Sequence, residues 1–244
     1  MIALWCMTAF AAAPLNNRAG TPFTYGGDGG KVAFGVFQPV VVGLTDTVDL
    51  STSGLATLVA PRVELKWAVA SGGDDRLEDG LAVVGGLGVP TGGLLLLRGL
   101  VFNEEAAIPG AVVIRAGAVM GLRSGSVTGA LGAEVRGAIE GGEDSLRPTG
   151  LWFLDPMLAP VTEGPVAAIR GVFDVGWADD KFDLTVDAHV QVGGQGTDGV
   201  ARILVAVRPA SAFAIAAGAA GTVESGDDGV DAWGAPIGDL LFRF

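Results

Sequence analysis

Asp187, His189 and Gln191 occupy alternate positions of one short run, so in an extended chain their side chains fall on one side. An aspartate near a histidine supplies two parts of a hydrolytic relay, in which the carboxylate orients the imidazole as general base. No serine can be aligned with them from sequence, and a lipid hydrolase would need the group on a surface that lipid reaches. No catalytic residue is therefore assigned, and the chain is read as a non-enzyme. His189 is the sole histidine and Cys6 the sole cysteine, which argues against a His/Cys metal centre and excludes an internal disulfide. Asp74-Asp75, Glu143-Asp144 and Asp227-Asp228 lie in Gly-rich stretches without the ordered oxygen spacing of a calcium loop. They read as solvated loop charge. Gly26-Gly27-Asp28-Gly29-Gly30 lacks the strand before it and the helix after it that nucleotide recognition needs. No cofactor and no metal are expected.

The elements that carry these residues have a period of two. In Arg62-Val63-Glu64-Leu65-Lys66-Trp67 every apolar side chain points one way and every charge the other, and Lys181 to Val192 repeats the pattern. Twelve strands are expected, near 31–42, 46–59, 62–70, 80–89, 94–101, 111–123, 127–140, 165–177, 181–192, 200–208, 212–224 and 232–244. The apolar phase, with Val63, Leu65, Ile114, Met120, Leu131, Ile169 and Ile203, holds no charged residue; Gln38 is its main polar member. Most of the basic residues fall in the opposite phase, with Asp49, Glu64, Glu134, Asp174, Asp183, Asp187 and Asp239 among the acids there.

Composition narrows the class. The chain has 244 residues, half of them hydrophobic, which argues against disorder. Its net charge of -12, from 15 basic and 27 acidic residues, and the lack of a basic stripe give no support to nucleic-acid binding. Nowhere does an apolar run reach the length of a membrane helix; Leu94–Leu97 is stopped by Arg98 and Gly99. Residues 2–13 form a short apolar run with an Ala9-x-Ala11 pattern, so 1–13 reads as a signal peptide or its remnant, although no Lys or Arg precedes it. Residues 14–30 read as a Gly-rich arm and 31–244 as the stranded unit.

Such alternation fits a soluble sandwich with the apolar face inside, or a membrane barrel with that face in lipid. Four features favour the barrel. Short connections (60–61, 90–93, 124–126, 178–180, 209–211) alternate with longer ones (71–79, 102–110, 141–164, 193–199, 225–231), 43–45 being the exception. The longer ones carry about half of the acidic residues. Trp177, Phe182 and Phe213 lie beside short turns, where interfacial aromatics belong, with Phe34 near the same rim and Trp67 marking the opposite level. The chain ends Leu240-Leu241-Phe242-Arg243-Phe244, with an aromatic last and Leu240, Phe242 and Phe244 in the apolar phase.

This ending resembles the C-terminal strand signal of bacterial outer-membrane β-barrel proteins. The resemblance covers residues 31–244 as architecture and only the last few as motif. It implies an all-β fold, an antiparallel transmembrane barrel of about 12 strands (range 10–14). Short turns would be periplasmic, as would the 14–30 arm, and longer loops extracellular. It further implies a Gram-negative outer membrane, contact with outer-membrane lipid and lipopolysaccharide, and recognition of the last strand by barrel-assembly machinery.

The charged phase then lines the interior. Arg62, Lys66, Arg115, Arg136, Arg170 and Arg202 are the candidate lumen-lining residues, with Ala33, Gly35, Gly117, Ala130, Gly132 and Gly176 leaving space between them. The leading functional expectation is a porin-like channel for passive diffusion of ions or small polar solutes. A closed structural or adhesive barrel is the alternative, with a salt-bridge ladder in place of a pore lining; a lipid hydrolase is the third. Residues 141–164, around Asp155-Pro156, are expected to form a long outer loop at or in the mouth.

Overall fold

The computed structural model describes residues 21–25, 32–35, 39–52, 61–74, 76–89, 110–141, 165–178, 181–193, 196–210, 213–226 and 229–243. Twelve strands form: β1 Val32–Gly35, β2 Val40–Thr45, β3 Val48–Thr52, β4 Arg62–Gly73, β5 Glu78–Gly88, β6 Gly110–Ser124, β7 Val127–Gly141, β8 Val166–Trp177, β9 Phe182–Gly193, β10 Gly196–Ala210, β11 Phe213–Gly226 and β12 Gly229–Arg243. Each pairs antiparallel with its neighbour in sequence, and β1 pairs with β12, Phe34 opposite Phe242, to close the barrel. Closure gives the first and last strands the backbone partners that an open sheet would leave unsatisfied. We call the end where β1 begins and β12 finishes the terminal rim.

The longest hairpin shows how the sequence achieves this. β6 and β7 stay in register from Gly110↔Gly141 to Ser124↔Val127, turning through Gly125 and Ser126. Gly125 has φ of 56°, in the left-handed region that a tight hairpin turn demands and glycine supplies without a Cβ penalty.

The strand number matches expectation, but the set differs. The expected 31–42 strand is two, β1 and β2, folded on each other with Val32↔Val42 and Ala33↔Val41. Pro39 lies at that reversal and has no N–H for a ladder. Of the expected 46–59 strand only β3 is described, following a turn at Asp46 and Thr47. The expected 94–101 strand lies outside the described residues. β5 and β6 pair directly, from Glu78↔Arg123 to Gly88↔Val113, so no barrel strand stands between them.

Connections shift accordingly. The ladders continue through Gly73↔Glu78, Gly193↔Gly196 and Gly226↔Gly229, so 71–79, 193–199 and 225–231 are not long loops. Ladder hydrogen bonds use the backbone alone, and glycine accepts an extended conformation wherever a neighbouring strand offers partners. The link expected at 60–61 spans 53–61, and the one from β5 to β6 spans 89–109. The strict alternation of short and long connections therefore does not hold. The turn expected at 124–126 is found at 125–126, and the connections expected at 178–180 and 209–211 fall in the intervals 178–181 and 211–212 between strands.

Alternation sorts the side chains into an exposed apolar face and a largely polar inner face. On β4, Val63, Leu65 and Trp67 are 55%, 46% and 54% exposed, while Glu64 and Lys66 are each 3% exposed. Ile114, Met120, Leu131, Val135, Ile169 and Ile203 continue the exposed apolar face around the barrel. The interior is a mixture. Leu204, Ala206, Ala214, Ala216 and Leu241 form an apolar cluster near the terminal rim, and buried ionic side chains occupy much of the rest.

Candidate functional site

The charged groups of the interior are positioned by register. Arg115 on β6 and Arg136 on β7 are direct cross-strand partners, and Glu134, two residues before Arg136, points the same way. Arg115 Nη1 lies 3.1 Å from Glu64 Oε2 and its Nη2 lies 3.2 Å from Glu134 Oε2. Arg136 Nε donates to Glu134 Oε1 at 2.6 Å, and its Nη2 contacts the same oxygen. Arg136 also reaches β9: Nη1 donates to Gln191 Oε1 at 3.4 Å, and Nη2 lies 2.9 Å from His189 Nε2. Because a guanidinium only donates, His189 Nε2 accepts there. Gln191 Nε2 in turn donates to Asp198 Oδ2 at 3.1 Å. The brace thus ties β4, β6, β7, β9 and β10 across the inside.

A second group centres on Asp187. Arg170 donates through Nε to Oδ1 at 3.0 Å and through Nη2 to Oδ2 at 2.7 Å, a bidentate pair. Arg202, directly opposite Asp187 in register, contacts Oδ2 from β10. Nearer the terminal rim, Arg208 Nη2 donates to Asp183 Oδ2 at 2.6 Å, and Thr185 Oγ1 donates to Asp174 Oδ2 at 3.2 Å.

A third group joins the wall to the chain preceding it. Lys66 faces Asp49 in register with Nζ 3.2 Å from Oδ2. Lys66 Nζ also donates to the Phe23 carbonyl at 2.6 Å, and the Tyr25 N–H donates to both Asp49 carboxylate oxygens at 3.0 Å. Thr24 Oγ1 donates to the Asp46 carbonyl at 2.6 Å. Thr21, Pro22, Thr24 and Tyr25 are buried. Pro22 rests against inner-face glycines: a Cβ at Gly121 would come within 2.8 Å of it and one at Gly80 within 3.1 Å. The Arg123 guanidinium lies 4.3 Å from the Phe23 ring centre while pairing with Glu78. Beside this segment a cavity of about 630 Å³ opens among Phe23, Thr24, Asp46, Asp79 and Arg123.

All six lining candidates thus point inward, but they do not line an open lumen as separate charges. Arg115 and Arg136 meet at Glu134, Arg170 and Arg202 meet at Asp187, and Lys66 stands apart at Asp49. Arg62 is inward and 8% exposed. Arg136 is 1% exposed. Asp187 and His189 share the inner face, yet their facing groups are engaged elsewhere, the carboxylate with two arginines and Nε2 with Arg136. Among the described residues no group of three or more His, Cys, Asp and Glu side chains is placed to hold a metal. The inward phase identified Asp49 as a wall residue. Its second role, anchoring residues 21–25, left no mark in the alternation, because those five residues belong to no strand.

No protein-family model matches the chain, and no curated protein matches it.

Proposed function

We propose that this chain is an integral barrel of a bacterial outer membrane whose interior is held shut by its own ion pairs, a structural barrel in place of an open diffusion pore. The observation that carries the closed reading is the inaccessibility of the lining cations. Arg62, Lys66, Arg115 and Arg136 are at most 8% exposed. An aqueous channel needs water against its lining; here carboxylates and neighbouring side chains take that place.

The membrane reading rests on the exterior. Each large apolar side chain left in water forgoes about 1.5–3 kcal/mol of burial, and a continuous apolar belt far exceeds the patches that soluble monomers expose. Lipid removes that cost. Aromatic rings mark the terminal rim: Phe34 stacks on Phe242 with centres 5.0 Å apart, Phe213 lies 5.1 Å from Phe242, and Trp177 stacks on Phe182 at 5.7 Å. Trp67, expected at the opposite level, pairs with Val48 next to the 46–47 turn and so joins this same rim. The two longest intervals between strands, 89–109 and 142–165, connect strands at the other end. Both points support a periplasmic terminal rim, with β12 as the strand that assembly machinery would read.

Planar-bilayer recording tests the closed reading. Correctly folded protein should insert without steady conductance. Sustained conductance in several salts would favour a diffusion channel, the second reading, which draws on the Arg170 and Arg202 side chains at 15% and 12% exposure.

A further inference from the structure

We propose that residues 21–25 form an internal strap that shuts the terminal-rim mouth of the barrel, latched to the wall by the Lys66–Asp49 pair and able to withdraw into the cavity beside it. The proposal concerns the mouth alone and does not depend on what solvent surrounds the barrel.

Three independent features converge on these five residues. The first is the polar latch. Lys66 and Asp49 satisfy each other across β3 and β4, and each also holds strap backbone: Lys66 the Phe23 carbonyl, Asp49 the Tyr25 N–H. An ion pair serving only to brace the wall would need neither contact. The second is the seat. Gly80 and Gly121 lie on the inner faces of β5 and β6; a Cβ at Gly121 would collide with Pro22 and one at Gly80 would crowd it, so the wall is relieved where the strap crosses it. Tyr25 completes the seat by packing with Ala33 and Val41 of β1 and β2. The third is room to move. The cavity of about 630 Å³ is lined by Pro22, Phe23 and Thr24 and lies directly beside the strap.

The wall holds the strap at the Phe23 carbonyl, the Tyr25 N–H and the Thr24 hydroxyl. Its grip therefore depends on a few wall side chains, and loosening them should free the mouth without dismantling the ladder. Ser51, inward and buried two residues beyond Asp49 on β3, reports access past the strap.

The test uses full-length folded protein in detergent, with Cys6→Ser and Ser51→Cys as a single-thiol reporter, labelled by a small charged methanethiosulfonate. Labelling should be slow in this background. It should rise at least 10-fold with Asp49→Asn and several-fold with Thr24→Val, which removes the hydroxyl that donates to the Asp46 carbonyl and changes no wall side chain. Chymotrypsin cleavage after Phe23 and Tyr25 should rise in the same order while the barrel keeps its heat-modifiable migration. Equal labelling and equal cleavage in folded Thr24→Val and background protein would overturn the strap. Fast labelling in the background itself would do so as well, since the mouth would already be open. Bilayer conductance separates the two proposals: a silent protein whose thiol is nonetheless readily labelled keeps the closed interior and removes the strap.

Discussion

Arg115 and Arg136 stand directly opposite one another on β6 and β7, two guanidiniums in a position where like charges repel. Glu134 resolves the conflict by giving one carboxylate oxygen to each. Its reach depends on Gly117, its register partner, where a Cβ would lie 2.6 Å from Glu134 Cβ and 2.5 Å from the Ala133 carbonyl. A glycine, a carboxylate and two arginines therefore form one unit, and removing the carboxylate takes from both buried arginines a partner that offsets their desolvation.

Replacing Glu134 with Gln should destabilise the folded barrel by about 3–5 kcal/mol, because two buried cations lose their shared partner. Urea unfolding from lipid vesicles measures it. A loss under 1 kcal/mol would mean that water already solvates Arg115 and Arg136, and the closed interior would be wrong.

Gly117→Ala should cost about 1–3 kcal/mol through overpacking at the same place. Combined with Glu134→Gly, which removes the Cβ that the new methyl would meet, the penalty of the glycine substitution should shrink. Strict additivity in that double-mutant cycle would show that the two positions do not compete for room.

Clearing the brace should open a path. The triple variant Arg115→Ser, Glu134→Ser, Arg136→Ser removes equal and opposite charge apart from one cation and leaves small side chains where Arg115 and Arg136 are now buried. Single-channel events absent from the parent protein are expected in planar bilayers. A folded triple variant that stays silent would place the obstruction elsewhere.

The alternation of Val63, Leu65 and Trp67 with Arg62, Glu64 and Lys66 was enough to read strand, face and polarity, because side-chain direction in a strand follows residue number alone. Pairing was harder. Gly-rich ends such as Gly72 and Gly73, or Gly226 and Gly229, carry no alternation, so their membership of the ladder depends on neighbours that the local sequence does not name. The splitting of the first strand at Pro39 was signalled by the proline beside Gln38, the one polar interruption of that apolar phase. The lining cations were legible as inward. Their partners were not, since Arg115 meets Glu64 only because β5 sets the offset between β4 and β6.

At the terminal rim, Asp74 accepts hydrogen bonds from the Arg76 and Leu77 N–H groups, at 2.9 Å and 3.0 Å, and these hold its carboxyl below the ordinary value of 3.8. A depressed acid contributes its full stabilisation above that ordinary value and loses it as pH falls through the folded one. Hydrogen-exchange protection at Arg76 and Leu77, corrected for intrinsic rates, should therefore hold at neutral pH and drop under strong acid. Asp74→Asn should remove the pH dependence. Protection that is unchanged by acid in the parent would contradict the carboxylate's role.

The solvent on the outside of the wall decides the account, and Ile203, outward at the middle of β10 and 48% exposed, reports it most directly. A bimane on Ile203→Cys, in a Cys6→Ser background reconstituted into vesicles, should be quenched strongly by brominated lipid and hardly by aqueous iodide. The same probe on Ser126→Cys, in the β6–β7 turn, should show the reverse. Iodide quenching at position 203 equal to that at 126, with brominated lipid without effect, would put water against the apolar face and contradict the membrane barrel.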